Sequence, residues 1–437
     1  MLRSMVFGGV TAAMCGLAAW CAAADEKAPE KSATPAEKPE AKATERPATP
    51  AQKREAKQAP AVIPKTLSEH VKKGTKWLVE HQLKKGGWGQ GEESANMGGG
   101  SQMKDVPSVA DTCMAALALI RAGNTPVQGE YAKNVLHAVQ FVCGEIEESD
   151  MDSLYITPTR GTRVQTKLGP YIDTFSAAVL LPEVKDRMPD EAGKKRVTIA
   201  LDKLLAKIQK NQRSDGTWDG QGWAPTMQQG MAVKGLNRAA QSGARVDEKV
   251  RARAEGQARQ SFDKSSGKFK ADGSAGVELY SAGSNLGSQS ESVKTNRQKK
   301  RDLERKVASA ATPRAEKDEA RDTLKRYKDA ENDLQDAQTA VVARLDDKQF
   351  IAGFGSNGGE EFLSYMNIGE SLVVKGGDTW KAWDKSISQN LNRVQNNDGS
   401  WSGHHCITGR TFCTSAALLV LMVDRSPQPI TEKMRKR

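Results

Sequence analysis

The chain has 437 residues, with 65 Lys and Arg against 54 Asp and Glu, a formal charge of +11 and aromatic residues at only 5%. The positive residues are scattered among acids and no nucleic-acid motif accompanies them, so nucleic acid is excluded as a partner. The basic balance instead suits a solvated surface that could meet an acidic cell-envelope polymer, anionic lipid or a protein.

Residues 1–24 read as a secretory signal. Arg3 supplies the positive start, Met5 to Trp20 is an apolar stretch too short to span comfortably, and Ala22-Ala23-Ala24 offers a small-residue cleavage site. The expected location is therefore periplasmic or extracellular, with no transmembrane segment after cleavage. Export leaves Cys113, Cys143, Cys406 and Cys413 in an oxidising compartment, where their pairing is open and buried free thiols are an equal alternative. Residues 25–65 are Ala, Pro, Lys and Glu with almost no apolar anchor, the composition of a disordered tether.

From Thr66 onward the pattern predicts an all-α chain of six helix pairs. Ser68 caps a first helix before Trp77 and Leu78, and the first pair runs from about 67 to 122. The second pair comprises Tyr131 to Cys143 and Thr174 to Leu181, with Pro182 as its end; the third, 190–212 and 226–241; the fourth, 246–263 and 276–287. Residues 290–348 are very highly charged and divided by Thr312-Pro313. Within them Tyr327, Leu334 and Val341 recur every seven residues, which predicts a helical hairpin with a thin coiled-coil seam inserted between two toroid parts, 66–289 and 349–426. An inner helix from Glu360 to Val374, a last pair at 379–395 and 411–424, and a basic tail over 427–437 complete the chain.

The repeat unit is legible in three copies of one spacing: Gln82/Gly86/Trp88, Gln212/Gly216/Trp218 and Gln395/Gly399/Trp401. A weaker copy, Asp263/Gly267/Phe269, keeps the interval. Glycine provides the left-handed turn that ends an outer helix, and the tryptophan folds back over the helix end, needing a partner for its indole N–H. Three apolar runs align through the pairs Ala115-Ala116, Ala177-Ala178 and Ala416-Ala417, whose small side chains let inner helices approach closely.

These copies and runs resemble the prenyltransferase and squalene oxidase repeats of the squalene/hopene cyclase and protein prenyltransferase superfamily, in the form found in exported bacterial proteins. The resemblance covers about 66–286 and 350–425. It implies an (α/α)6 toroid of parallel inner helices inside a ring of outer ones, and it says more about fold than about activity.

In such a toroid the inner-helix N-termini share one mouth. Asp111, Asp173, Glu360, Glu361, His404, His405 and Arg410 all fall at or just before those N-termini. Glu360, Glu361, His404, His405 and Arg410 are the candidate ligand-binding residues, while Asp111 and Asp173 also serve as ordinary helix caps. Cyclases of the superfamily protonate with an Asp-rich string inside an aromatic cavity. Here the nearest string is Asp150-Met151-Asp152-Ser153, in a different repeat, and aromatic residues are few. Prenyltransferases hold zinc with Asp-x-Cys and a histidine; Asp111, Cys113 and His405 match those types in an altered order, which makes zinc the one cofactor the resemblance implies. Thioester toroids carry Gly-Cys-Gly-Glu-Gln, but Asn357-Gly358-Gly359-Glu360-Glu361 has glycine in the cysteine position and cannot form the bond. The expectation is an exported repeat protein that binds a ligand or partner at the mouth. The competing expectation is an enzyme: a zinc-dependent transferase, or a carbohydrate lyase or hydrolase using Glu360 or Glu361 with a histidine as acid and base.

Overall fold

The computed structural model describes residues 62–94, 100–355 and 357–427, so the expected signal, all of the tether before Val62 and the tail from 428 lie outside the described residues. The chain is predominantly helical, with fourteen α-helices among the described residues. In order they are α1 Glu69–Glu80, α2 Val109–Arg121, α3 Ala132–Glu148, α4 Arg163–Leu168, α5 Ile172–Val184, α6 Glu191–Lys210 and α7 Pro225–Gln241. Then follow α8 Glu248–Gln260, the two-residue strands β1 Phe262–Asp263 and β2 Lys268–Phe269, α9 Glu278–Ala308, α10 Arg314–Val342, α11 Lys348–Ala352, α12 Gly359–Lys375, α13 Gly377–Arg393 and α14 Arg410–Leu421. None is long and apolar enough to cross a membrane.

Two kinds of helix alternate, and their burial explains why. Every residue of α2 is buried, as are most of α5, α7, α12 and α14, whereas α1, α3, α6, α8 and α13 bury one stripe each. The buried helices contact one another in the order α2, α5, α7, α9, α12, α14 and back to α2. Their directions agree. At the N-terminal ends Asp173 accepts from the Ala110 amide at 2.9 Å, Gln228 accepts from the Tyr171 amide at 2.8 Å, and the Tyr280 hydroxyl donates to Glu361 at 2.5 Å. Toward the C-terminal ends of α2, α5 and α7, Arg121 pairs with Glu183 at 2.5 Å and Arg238 with Glu291, midway along α9, at 2.8 Å.

The three motif copies fold alike. Trp88, Trp218 and Trp401 are buried and donate their indole N–H to Leu78 at 2.7 Å, Ile208 at 2.8 Å and Leu391 at 2.8 Å, carbonyls in the last turns of α1, α6 and α13. Gln82, Gln212 and Gln395 each close the turn onto the motif glycine's carbonyl and also donate to a second outer helix, at Asn134, Val250 and His70. Each motif therefore ties one outer helix to another, and the last ties α13 to α1. The motif glycines have a second duty that the spacing alone did not show. Gly86, Gly216 and Gly399 hold φ at +88°, +89° and +94°, the left-handed turn that was expected. In addition, a Cβ on each would strike a carbonyl of the second outer helix: His137 in α3, Arg253 in α8 and Lys73 in α1. The same glycine thus ends one helix and admits the next. In the weak copy Phe269 packs against Phe262 across the β1–β2 hairpin, a ring without an N–H to donate.

Several boundaries differ from expectation. Pro182 does not end α5, which continues to Val184; a proline in the last turn gives up one amide bond and the helix absorbs it. The boundary expected at residue 290 falls inside α9, a single helix whose residues through Asn296 are buried. Serines make that half of α9 polar in sequence, yet Ser281 and Ser288 return their hydroxyls to the helix's own carbonyls at 3.1 and 2.8 Å, which satisfies them in the core. Thr312-Pro313 does divide α9 from α10, and the α10 residues Tyr327, Leu334 and Val341 are buried, so this helix packs along α9 and touches α8. At the other edge of the tether, Lys65 is fixed: its amide donates to Asp424 at 2.7 Å and its ammonium pairs with Asp384 at 2.6 Å.

Candidate functional site

The site is built where α9, α12 and the segment before α14 meet. Glu360 and Glu361 lie in the first turn of α12, where the positive helix end favours acids, and both are fully buried. Glu361 accepts from the Tyr280 hydroxyl at 2.5 Å and the Phe354 amide at 3.0 Å through one oxygen. Its other oxygen lies 3.5 Å from His405 Nε2. Glu360 accepts from the Ile407 amide at 3.1 Å through one oxygen. Its second oxygen, the second oxygen of Glu361 and both His405 ring nitrogens are buried without a hydrogen-bond partner among the described residues. Buried polar atoms without partners are costly, and any group that met them there would be held strongly.

Electrostatics follow from that burial. Desolvation, reinforced by Glu361, pushes the Glu360 carboxyl up to about 8, so it carries a proton at neutral pH. Burial draws His405 below its ordinary value although Glu361 pulls the other way, so its imidazole is neutral there. Tyr280 is raised by burial and by Glu361, and burial lifts the Cys406 thiol to about 11, which leaves it an unreactive thiol. Cys406 sits at φ +54°, a left-handed backbone in a non-glycine residue that fixes the loop carrying His405.

The rim is aromatic and basic. Phe354 meets His405 edge-on at 5.2 Å, and Trp223 meets Phe354 at 5.9 Å. Both Phe354 and Trp223 are exposed, at 55% and 39%. Lys167, from α4, stands 5.1 Å from the Trp223 ring and forms no ion pair among the described residues. Its charge is felt by Glu360, His405 and Cys406.

The expected residues thus divide. Glu360, Glu361 and His405 come together. His404 is exposed and contributes its backbone, its amide donating to the Asn357 carbonyl at 2.7 Å. Arg410 turns away from both glutamates. It pairs with Asp398 at 2.5 Å and lines a surface pocket of about 230 Å³ with Trp77, His81, Glu92 and Lys104. Asp173 caps α2, and Gln165 also donates to it at 2.7 Å. Asp111 meets no hydrogen-bond donor through its carboxylate among the described residues, and burial lifts it to about 7. The clamp residues, Gly86 and Gly216 among them, stand against outer helices and remain structural.

Zinc does not fit. Among the described residues no three His, Cys, Asp or Glu side chains gather in a way that could hold a metal, so Asp111, Cys113 and His405 do not form the expected set. Cys113 and Cys413 are buried free thiols with their pKa raised well above the usual range by burial, and Cys143 and Cys406 are free as well.

Tyr280, Lys167, Trp223 and Phe354 escaped the sequence reading. Tyr280 follows a weak helix start, while α4 carries one usable signal: Thr162 and Gln165 form a reciprocal capping box. No protein-family model matches this chain, and no curated protein matches it.

Proposed function

We propose that this chain is an exported (α/α)6 toroid of the prenyltransferase and squalene oxidase repeat kind, which binds a ligand at the mouth containing Glu360, Glu361 and His405. The closed order of contacts among α2, α5, α7, α9, α12 and α14 supports the architecture. The observation that carries the function is the group of unsatisfied buried atoms on Glu360, Glu361 and His405 beside the exposed rings of Trp223 and Phe354. Polar groups below and flat faces above suit a ligand with hydroxyls and a ring face, and Lys167 adds a preference for an acidic one. Terpene cyclisation is disfavoured because the narrow central cavity is lined by Met114, Leu117, Val179, Met231, Met366 and Leu419, without aromatic rings.

The test is calorimetric titration with polygalacturonate, neutral dextran and anionic phospholipid vesicles. Polygalacturonate binding that drops at least tenfold in Trp223→Ala and Lys167→Ala is the expected outcome. Equal binding by the variants, or binding to none of the three, overturns the site.

An enzymatic reading rests on the electrostatics of the site: burial favours the protonated form of Glu360 and the neutral form of His405. Such a pair could break a glycosidic linkage by hydrolysis or elimination. Cleavage products that vanish in both Glu360→Gln and His405→Ala are what this reading expects.

A further inference from the structure

The opposite ends of the buried helices hold a second constellation. Arg121 pairs with Glu183, Glu183 also with Arg238, Arg238 with Glu291 and Glu370, Glu370 with Lys234, and Glu291 with Lys294, all within 3.5 Å. These side chains come from α2, α5, α7, α9 and α12, and none is more than 7% exposed. Four cations face three carboxylates, so the cluster keeps one positive charge in a place where an uncompensated charge is costly. Burial accordingly draws Lys234 below its ordinary value even though Glu370 supports its charge.

The surplus has somewhere to go. Arg121, Lys234, Arg238 and Glu370 line one wall of the central cavity, whose other walls are Met114, Leu117, Val179, Met231, Met366 and Leu419. The cavity has room for about one water-sized particle. Arg121 Nε and Arg238 Nε are both buried and meet no acceptor among the described residues. Two unused guanidinium donors, a residual charge and a space of that size select a small monatomic anion over a larger oxyanion.

We propose that the cavity beside Arg121 and Arg238 is a halide site, filled by chloride, that neutralises the buried charge cluster and locks five helices together. It is independent of the mouth and of any reaction there. The full chain is unfolded by heat in sodium chloride, sodium bromide and sodium gluconate at one ionic strength. Chloride and bromide raise Tm by about 2 to 4 °C over gluconate, as expected for a ligand at roughly a hundredfold excess over its Kd. Bromide-soaked crystals show one anomalous peak between the two Nε atoms. Arg121→Gln, which balances the charges, removes the halide dependence. Met231→Phe fills the cavity without touching an ion pair and removes it too, which keeps the test open if Arg121→Gln does not fold. Superposed melting curves in the three salts, or a bromide map without that peak, overturn the site.

Discussion

The two ends of the buried helix group treat charge in opposite ways. At the N-terminal end Asp111 and Glu360 are acids without a counter-ion, pushed up to about 7 and 8 chiefly by burial. At the C-terminal end burial would raise Glu291 as well, but Arg238 and Lys294 outweigh it and hold it at about 2, while Lys234 and Arg238 hold Glu370 far below the usual carboxylate range. At one end each carboxylate of the cluster has a cation within 3.5 Å, whereas at the other Asp111 and Glu360 have none among the described residues. The proposed mouth site lies at the end where buried acids lack counter-ions, and a ligand bound there would supply the missing partners.

Linkage gives the two ends opposite pH signatures. Glu360 is raised from 4.5 to about 8, so the folded chain holds the extra proton in that interval and stability falls as pH rises from about 4.5 to 8. Glu291 is lowered from 4.5 to about 2, so its contribution is complete above about 4.5 and disappears as pH falls toward 2.

The contrast can be broken most severely at the paired end. Glu370→Ala strips Lys234 and Arg238 of a shared carboxylate and should cost about 3–5 kcal/mol in denaturant unfolding at pH 7; a loss below about 1 kcal/mol would show that the cluster is not coupled. Glu360→Gln should do the reverse at the other end, stabilising the chain by about 2–4 kcal/mol at pH 8 and flattening the decline between pH 5 and 8. Parallel pH profiles for this variant and the wild type would refute the assignment. Tyr280→Phe removes one bond to Glu361, which keeps the Phe354 amide, and should cost about 1–2 kcal/mol in the same unfolding measurement. Smallest is Arg410→Ala: its ion pair with Asp398 is at the surface, so the expected loss is under about 1 kcal/mol, falling with added salt, with polygalacturonate binding unchanged.

How much of this was legible in the sequence depended on whether side-chain chemistry or chain topology decided the outcome. The clamps at Gln82, Gln212 and Gln395 could be read because glutamine, glycine and tryptophan are each required by a local backbone geometry. The close approach of α3 to Gly86 and of α8 to Gly216 could not, because it depends on which outer helix comes next in space. Nor could the buried half of α9, since serine and glycine carry no apolar period even when a neighbour packs tightly; a Cβ on Gly283 would lie 2.9 Å from Ser364. Glu360, Glu361 and His405 were found as acids and a histidine near helix starts. Arg410 looked equivalent and is not, since its direction is set by Asp398, a residue of the clamp turn. The charge cluster was invisible, because Arg121, Glu183, Lys234 and Glu370 look in sequence like the solvated face of any helix.

The grip of Gln395 on the His70 carbonyl joins residues 325 positions apart. α1 therefore cannot acquire its final neighbour until nearly the whole polypeptide has emerged, which predicts slow, late-completing folding of high contact order. It also means that the backbone could be cut and rejoined elsewhere, for instance between Lys185 and Asp190, with the old ends linked, while every clamp still found its mate.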